Sequence, residues 1–158
     1  MELSVIIIGA AILLLIFIPI ALVHKKRDKE EKATLNRLQN IAEKESQKII
    51  KHDLWNNSAI SLDSAGTLYF IENNSAGVKK INLKGIKECR IINSGRAVTN
   101  HLEDPYSIRR LELALTGSHY EYEQRLLFFD MAINMQINDE LQLIKKWEAI
   151  INNHIKAN

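Results

Sequence analysis

The side chains able to perform chemistry are few and scattered along the chain. Five histidines occur, at positions 24, 52, 101, 119 and 154, and none belongs to an HxH or HExxH motif that would assemble a metal site locally. The single cysteine, Cys89, follows the alternating pattern of 86–93 onto its apolar side, where a cysteine is normally a small buried hydrophobe. We therefore predict no catalytic residue, no cofactor and no metal ligand.

One connecting segment, 94–107, concentrates the remaining polar groups. It contains His101, Glu103 and Asp104, a cluster typical of solvated surface. No Walker A, G-x-G-x-x-G or G-x-S-x-G motif occurs anywhere in the chain, so we predict that the protein is not an enzyme. Basic and aromatic side chains in or beside this segment form a candidate loop for an anionic ligand or a partner: Arg96, Tyr106, Arg109 and Arg110.

Composition narrows the class of protein further. The 158 residues are 46% hydrophobic and 25% charged, as in ordinary globular chains. One cysteine excludes an intrachain disulfide framework. A net charge of +2 is too small for a nucleic-acid binder, so no nucleic-acid partner is predicted.

The N-terminal segment is strongly apolar. Residues 5–23 read VIIIGAAILLLIFIPIALV, without a charged or polar side chain. A helix of this length spans about 28 Å, close to the ~30 Å hydrocarbon core of a bilayer. The acidic Glu2 and the lack of an A-x-A pattern before His24 argue against a cleaved signal peptide. The pattern predicts a transmembrane signal-anchor helix over 1–23.

A basic segment follows the apolar one. Because basic flanks remain on the cytoplasmic side, we predict a single-pass protein of the inner membrane with its N-terminus outside and its domain in the cytoplasm. Bases at this position also attract anionic headgroups, at ~1 kcal/mol each. A topology signal and specific lipid recognition both remain open for these residues: Lys25, Lys26, Arg27, Lys29 and Lys32.

Residues 24–53 are predicted to form a helical juxtamembrane stalk. The stretch 25–52 contains neither Gly nor Pro and is rich in good helix formers. A partial apolar stripe recurs at helical spacing, but it is too short for a confident coiled coil. Packing on the domain and weak self-association are both open for this stripe, which comprises Leu35, Leu38, Ala42 and Ile49.

From residue 54 to 158 the pattern changes to one of strands. We predict about six antiparallel strands followed by a helix from Asn138 to Ile155, with extended structure continuing through 131–137. Leu111, Leu113 and Leu115 mark a buried face of one strand, whose other face is predicted to be wet. The position of Trp55 is left open, with a place between stalk and domain as the candidate. The remaining core aromatics are Tyr69, Phe70, Phe128, Phe129 and Trp147. The predicted strands are 59–63, 67–72, 78–83, 86–93, 108–116 and 120–130.

This α+β order resembles a known superfold. The residues that carry the resemblance are the hairpin 59–71, the stretch 81–90 and Lys145-Lys146-Trp147 in the last helix. They resemble the pleckstrin-homology-like (PH-like) fold, most closely the short PH-like domains of bacterial single-span membrane proteins. That fold implies seven strands in a bent sheet or barrel capped by a helix. Since the pattern provides six strands, the seventh is either absent or lies in 94–107 or near Leu54-Trp55.

Two functions follow from the resemblance and the charge pattern. The first is a membrane-anchored, non-enzymatic binding or scaffold module that presents a PH-like domain at the inner membrane face to a protein or peptide. The alternative is a sensor of anionic lipid headgroups, which would use the juxtamembrane bases and the loop arginines. Expected partners are therefore the lipid bilayer, a protein or peptide, and a second copy through the stalk.

Overall fold

A computed structural model describes residues 29, 32–44, 46–73, 75, 77–94, 108–118 and 120–157. Over these residues the chain is α+β, with seven antiparallel strands between two helices. The described part of helix α1 comprises residues 29 and 32–44. The other elements are β1 Ile49–Trp55, β2 Ser58–Asp63, β3 Thr67–Ile71, β4 Lys79–Asn82, β5 Ile86–Asn93, β6 Arg110–Gly117, β7 Gln124–Asp130 and α2 Glu140–Ala157.

The strands form two sheets of consecutive hairpins. The first has the order β1-β2-β3-β4 and the second the order β5-β6-β7. Turn chemistry fixes the β2–β3 hairpin, because one Asp63 carboxylate oxygen accepts hydrogen bonds from Ala65 N at 2.9 Å and Thr67 N at 2.8 Å. Gly66, at φ 81°, takes the left-handed conformation that this turn requires.

The main core lies between the two sheets and α2, and it is organised around stacked aromatic rings. Trp55 stacks on Phe128 with ring centroids 4.6 Å apart, and its Nε1 donates a hydrogen bond to Phe128 O at 3.0 Å. Phe70 packs against both rings. The sequence left the position of Trp55 open, and the structure places its ring between the two sheets and not between stalk and domain. The five other predicted core aromatics are all buried.

A second, smaller core lies on the other face of the first sheet. Here α1 buries Leu38 against Ala59, Tyr69 and Ile71. Because both faces of this sheet are covered, every residue of β2 and β3 is buried. The apolar stripe that the sequence offered for self-association thus packs, through Leu38, on the chain's own sheet.

The predicted transmembrane helix requires correction. Residues 1–23 lie outside the described residues, and among those described no helix is both long and apolar enough to cross a membrane. Neither the described part of α1 nor α2, which is apolar along one stripe and charged elsewhere, meets this requirement. The fold of the described residues is therefore α+β without the predicted N-terminal transmembrane helix. The membrane, single-pass and signal-anchor descriptions and the inner-membrane location, with the N-terminus outside, lose their support with it.

The strand count and the length of the stalk helix also need correction. The helix predicted to continue to residue 52 ends at 44, where Ser46 adopts φ 58°. Ser46 N donates to Glu43 O and Gln47 N to Ala42 O, each at 2.9 Å, which is the Schellman pattern of a helix end. The chain then enters β1, which pairs with β2. This is the seventh strand, and it includes Leu54-Trp55, one of the two expected places.

The predicted wet face of β6 is instead largely buried. Ala114 is 0% and Glu112 only 6% exposed. Ala114 lies directly between Arg90 on β5 and Arg125 on β7, and Glu123 joins these two guanidinium groups at 2.7 and 2.9 Å. The aliphatic stems of the two arginines cover the small side chain beneath them, so charged residues bury this face.

The outer edge of β5 is occupied by side chains of α2. The Asn152 amide accepts a hydrogen bond from Cys89 N at 3.2 Å and donates one to Cys89 O at 2.8 Å. Ile91 N donates to Glu148 Oε1 at 3.0 Å. Four helical residues advance about 6 Å and two strand residues about 6.8 Å, so residues four apart on α2 match alternate residues of β5.

Candidate binding surface

The structure describes only part of the site predicted from sequence. Arg109 and Arg110 lie side by side at the start of β6. Lys29 and Lys32 are exposed and lie at the beginning of the described part of the chain. Among the described residues, no hydrogen bond or ion pair connects them to Arg109 or Arg110. The other predicted site residues fall outside the described residues: Lys25, Lys26, Arg27, Arg96 and Tyr106.

Arg110 is engaged in contacts within the domain. Its Nη2 donates to Glu112 Oε1 at 2.9 Å and its Nη1 to Asp130 Oδ2 at 3.0 Å. The hydrogen bond to Glu112 is the main reason why the pKa of Arg110 lies above its ordinary value. Glu112 needs this partner because it is almost fully buried. Arg110 therefore neutralises a buried carboxylate and is not a free cation for a ligand.

Arg109 has a different environment. Its side chain is exposed, and within the described residues it forms no ion pair. Its carbonyl oxygen accepts a hydrogen bond from Met131 N at 2.8 Å. This contact places Arg109 at the margin of the segment that joins β7 to α2.

That segment carries the apolar patch, which we define as Met131, Ile133 and Met135. Their exposed fractions are 49%, 54% and 90%, which is unusual for three large apolar side chains so close together. The sequence predicted that 131–137 continues β7 as an extended strand. That prediction is wrong, because Ile133 N and Asn134 N both donate to Asp130 O, at 3.0 and 2.9 Å, and this turn ends the strand.

Hydrogen bonds hold the backbone of the patch at both ends. Asp130 Oδ1 accepts from Ala132 N at 2.8 Å, next to the turn that begins the segment. At the other end Glu140, which is buried, accepts from Asn138 N at 2.6 Å and from the side chain of Asn56. The patch therefore combines an ordered backbone with apolar side chains in water, an arrangement suited to a binding surface.

The one thiol of the chain is unsuited to chemistry. Cys89 is buried, and its pKa is raised to about 12, mainly by desolvation, with further contributions from Glu148 and Glu88. A nucleophilic cysteine needs the opposite shift, which favours the thiolate. In the part of the chain that the structure describes, no group of three or more His, Cys, Asp or Glu side chains is placed to hold a metal ion.

The state of Cys89 leads to a simple prediction. In the folded protein at pH 8, the thiol is expected to react with a disulfide reagent at least about a hundredfold more slowly than in 6 M guanidinium, because burial disfavours the thiolate and restricts access. Ellman's reagent measures both rates. Similar rates in the two solvents would contradict the buried, raised-pKa thiol.

Comparison with protein-family models, with curated proteins and with solved structures gives no match for this chain. The PH-like resemblance therefore stays a prediction drawn from the residue pattern.

Proposed function

We propose that the protein is a non-enzymatic binding module whose domain engages a protein or peptide through the apolar patch. The observation that carries the proposal is the exposure of Met131, Ile133 and Met135 on a backbone fixed by Asp130 and Glu140. The membrane anchor of the original hypothesis is not part of this proposal.

The chemistry of the patch favours a protein or peptide ligand with apolar side chains. Burying an exposed Met or Ile side chain contributes roughly 1.5–3 kcal/mol when the burial is complete. Methionine is flexible and polarisable and adapts to irregular apolar surfaces. Because the backbone is already ordered, binding costs little conformational entropy in this segment.

The PH-like character of the domain belongs to the same proposal. It is supported by the sequence resemblance and by the order of a four-stranded sheet, a three-stranded sheet and a C-terminal helix. Domains of that kind act by binding, which agrees with the exposed apolar patch and with a buried, unreactive thiol.

Site-specific photocrosslinking in the producing cells tests the proposal. A benzophenone side chain replaces Met135, and the control carries the same group at Lys87, an exposed residue of β5. A defined protein adduct is expected from position 135 and not from 87. When Met131→Ser and Ile133→Ser are combined with the benzophenone at position 135, the yield of this adduct is expected to fall at least about fivefold, because apolar anchors dominate such interfaces.

Two results would contradict a protein partner. The first is the same set of adducts from positions 135 and 87, which indicates random collision. The second is adducts with phospholipid alone, which would favour the alternative function, recognition of anionic headgroups with Arg109 beside the apolar side chains. Urea unfolding of the double serine variant, expected to match the parent within about 0.5 kcal/mol, controls for folding.

A further inference from the structure

A cleft lies at the end of the domain opposite to the apolar patch. It has a volume of about 410 Å³ and is formed where three elements meet. The β2–β3 turn contributes Ser64, the β4–β5 turn contributes 83–86, and the last turns of α2 contribute His154 and Ile155. This volume falls in the range of small-molecule sites, roughly 300–1,000 Å³.

The backbone that forms the cleft is fixed by hydrogen bonds between the turns. Leu83 N donates to Gly66 O at 2.9 Å and Ile86 N to Leu83 O at 3.0 Å, with Gly85 at φ 95° as the turn requires. Ser118 N donates to Gly85 O at 3.1 Å. These contacts tie the β4–β5 turn to both sheets, so the cleft is present before any ligand arrives.

One side of the cleft is polar and the other apolar. The polar side has the Lys84 ammonium, the Ser64 hydroxyl and the His154 imidazole. The imidazole lies directly on Gly66, where an added Cβ would be 2.5 Å from Nε2. The apolar side consists of Leu83, Ile86 and Ile155.

The charge at the cleft is positive. Lys84 is exposed and, within the described residues, forms no ion pair. No described residue that lines the cleft carries a carboxylate. Asp63, next to Ser64 in the sequence, is fully buried and already accepts hydrogen bonds from Ala65 N, Thr67 N and the Tyr69 hydroxyl. Both oxygens of the Asp63 carboxylate accept hydrogen bonds from the β2–β3 hairpin, so this carboxylate does not serve as a counter-ion for Lys84.

We propose that this cleft binds a small organic anion, a carboxylate or a phosphate ester with an apolar body. The Lys84 ammonium contacts the anionic group, and the apolar body packs on Leu83, Ile86 and Ile155. The Ser64 hydroxyl donates to Gln47 Oε1 at 3.1 Å, so it lines the cleft without donating to the anion. The site is independent of the apolar patch, so the failure of either proposal leaves the other standing.

An NMR titration of the full chain with phenyl phosphate tests the proposal, and benzoate serves as the carboxylate probe. Saturable shifts are expected at the amides of Ser64, Lys84 and Gly85, with a Kd in the range of about 0.1–5 mM. Lys84→Gln is expected to raise the Kd at least fivefold. The matched control, Lys145→Gln, changes an exposed lysine on the outer side of α2 and is expected to leave the Kd unchanged.

Inorganic phosphate is expected to bind more weakly than phenyl phosphate, because it lacks the apolar body. The proposal is overturned if no probe produces saturable shifts up to about 20 mM, a limit that corresponds to very weak binding. It is also overturned if Lys84→Gln and Lys145→Gln bind with the parent's affinity, since the anion would then not be held in this cleft.

Discussion

Replacing Trp147 by alanine is expected to lower the free energy of unfolding by about 3–5 kcal/mol, since it deletes a large buried ring and leaves a cavity. Trp147 is fully buried between α2 and the two sheets. Its Nε1 also donates to Asp53 Oδ2 at 2.8 Å, which attaches α2 to β1. Urea unfolding followed by circular dichroism measures the change.

Two further variants separate the ring from its hydrogen bond. Trp147→Phe keeps most of the apolar volume and is expected to cost about 1–3 kcal/mol, largely for the lost indole hydrogen bond to Asp53 Oδ2, which keeps Lys146 as its other donor. Lys146→Gln removes the 2.7 Å ion pair with the same carboxylate, and an exposed pair of this kind is worth under about 1 kcal/mol. A loss below about 1 kcal/mol for Trp147→Ala would contradict the described core.

Gly117→Ala is expected to destabilise the domain by about 2–3 kcal/mol through overpacking. An added Cβ would lie 2.4 Å from Gly85 O and 2.9 Å from Ile86 Cα. Both atoms belong to the backbone of the β4–β5 turn, which is fixed by its own hydrogen bonds, so neither can move cheaply. The variant should therefore also disturb the proposed anion cleft, which this turn lines.

Gly77→Ala is the matched control for this substitution. A Cβ at Gly77 would meet nothing within 4 Å. The change is expected to alter stability by less than about 1 kcal/mol, chiefly through the entropy of the unfolded chain. Thermal unfolding of both variants compares them directly, and equal losses would show that the close approach of Gly117 to Gly85 has no energetic consequence.

Local chemistry made several elements predictable. The β2–β3 hairpin was expected over 59–63 and 67–72 and lies at Ser58–Asp63 and Thr67–Ile71, because Asp63 and Gly66 specify the turn between them. Helix α2 was expected over 138–155 and covers Glu140–Ala157, since a single apolar stripe defines it. The buried position of Cys89 followed in the same way from alternation in β5.

Other features could not be predicted, because they depend on contacts between residues that no local sequence pattern indicates. The helix before β1 ends at residue 44 and is followed by Ser46 at positive φ, with neither glycine nor proline to mark the end. The sequence of the strand that begins at Ile49 therefore resembles a continuing helix. The apolar patch alternates like a strand, and only the turn at Asp130 shows that it is not one. The cleft joins Ser64, Lys84 and His154, which are too far apart in sequence for any spacing rule.

The contacts of α2 with the edge of β5 have a consequence for the fate of the unfolding chain. Cys89 and Ile91 present backbone groups that another strand could pair with, and Asn152 and Glu148 now occupy them. Helix α2 thus contributes to the core and also blocks pairing of the β5 edge with a strand of another chain. A change that loosens α2, such as Trp147→Ala, is expected to open this edge before the sheets separate, so that self-association accompanies the loss of stability.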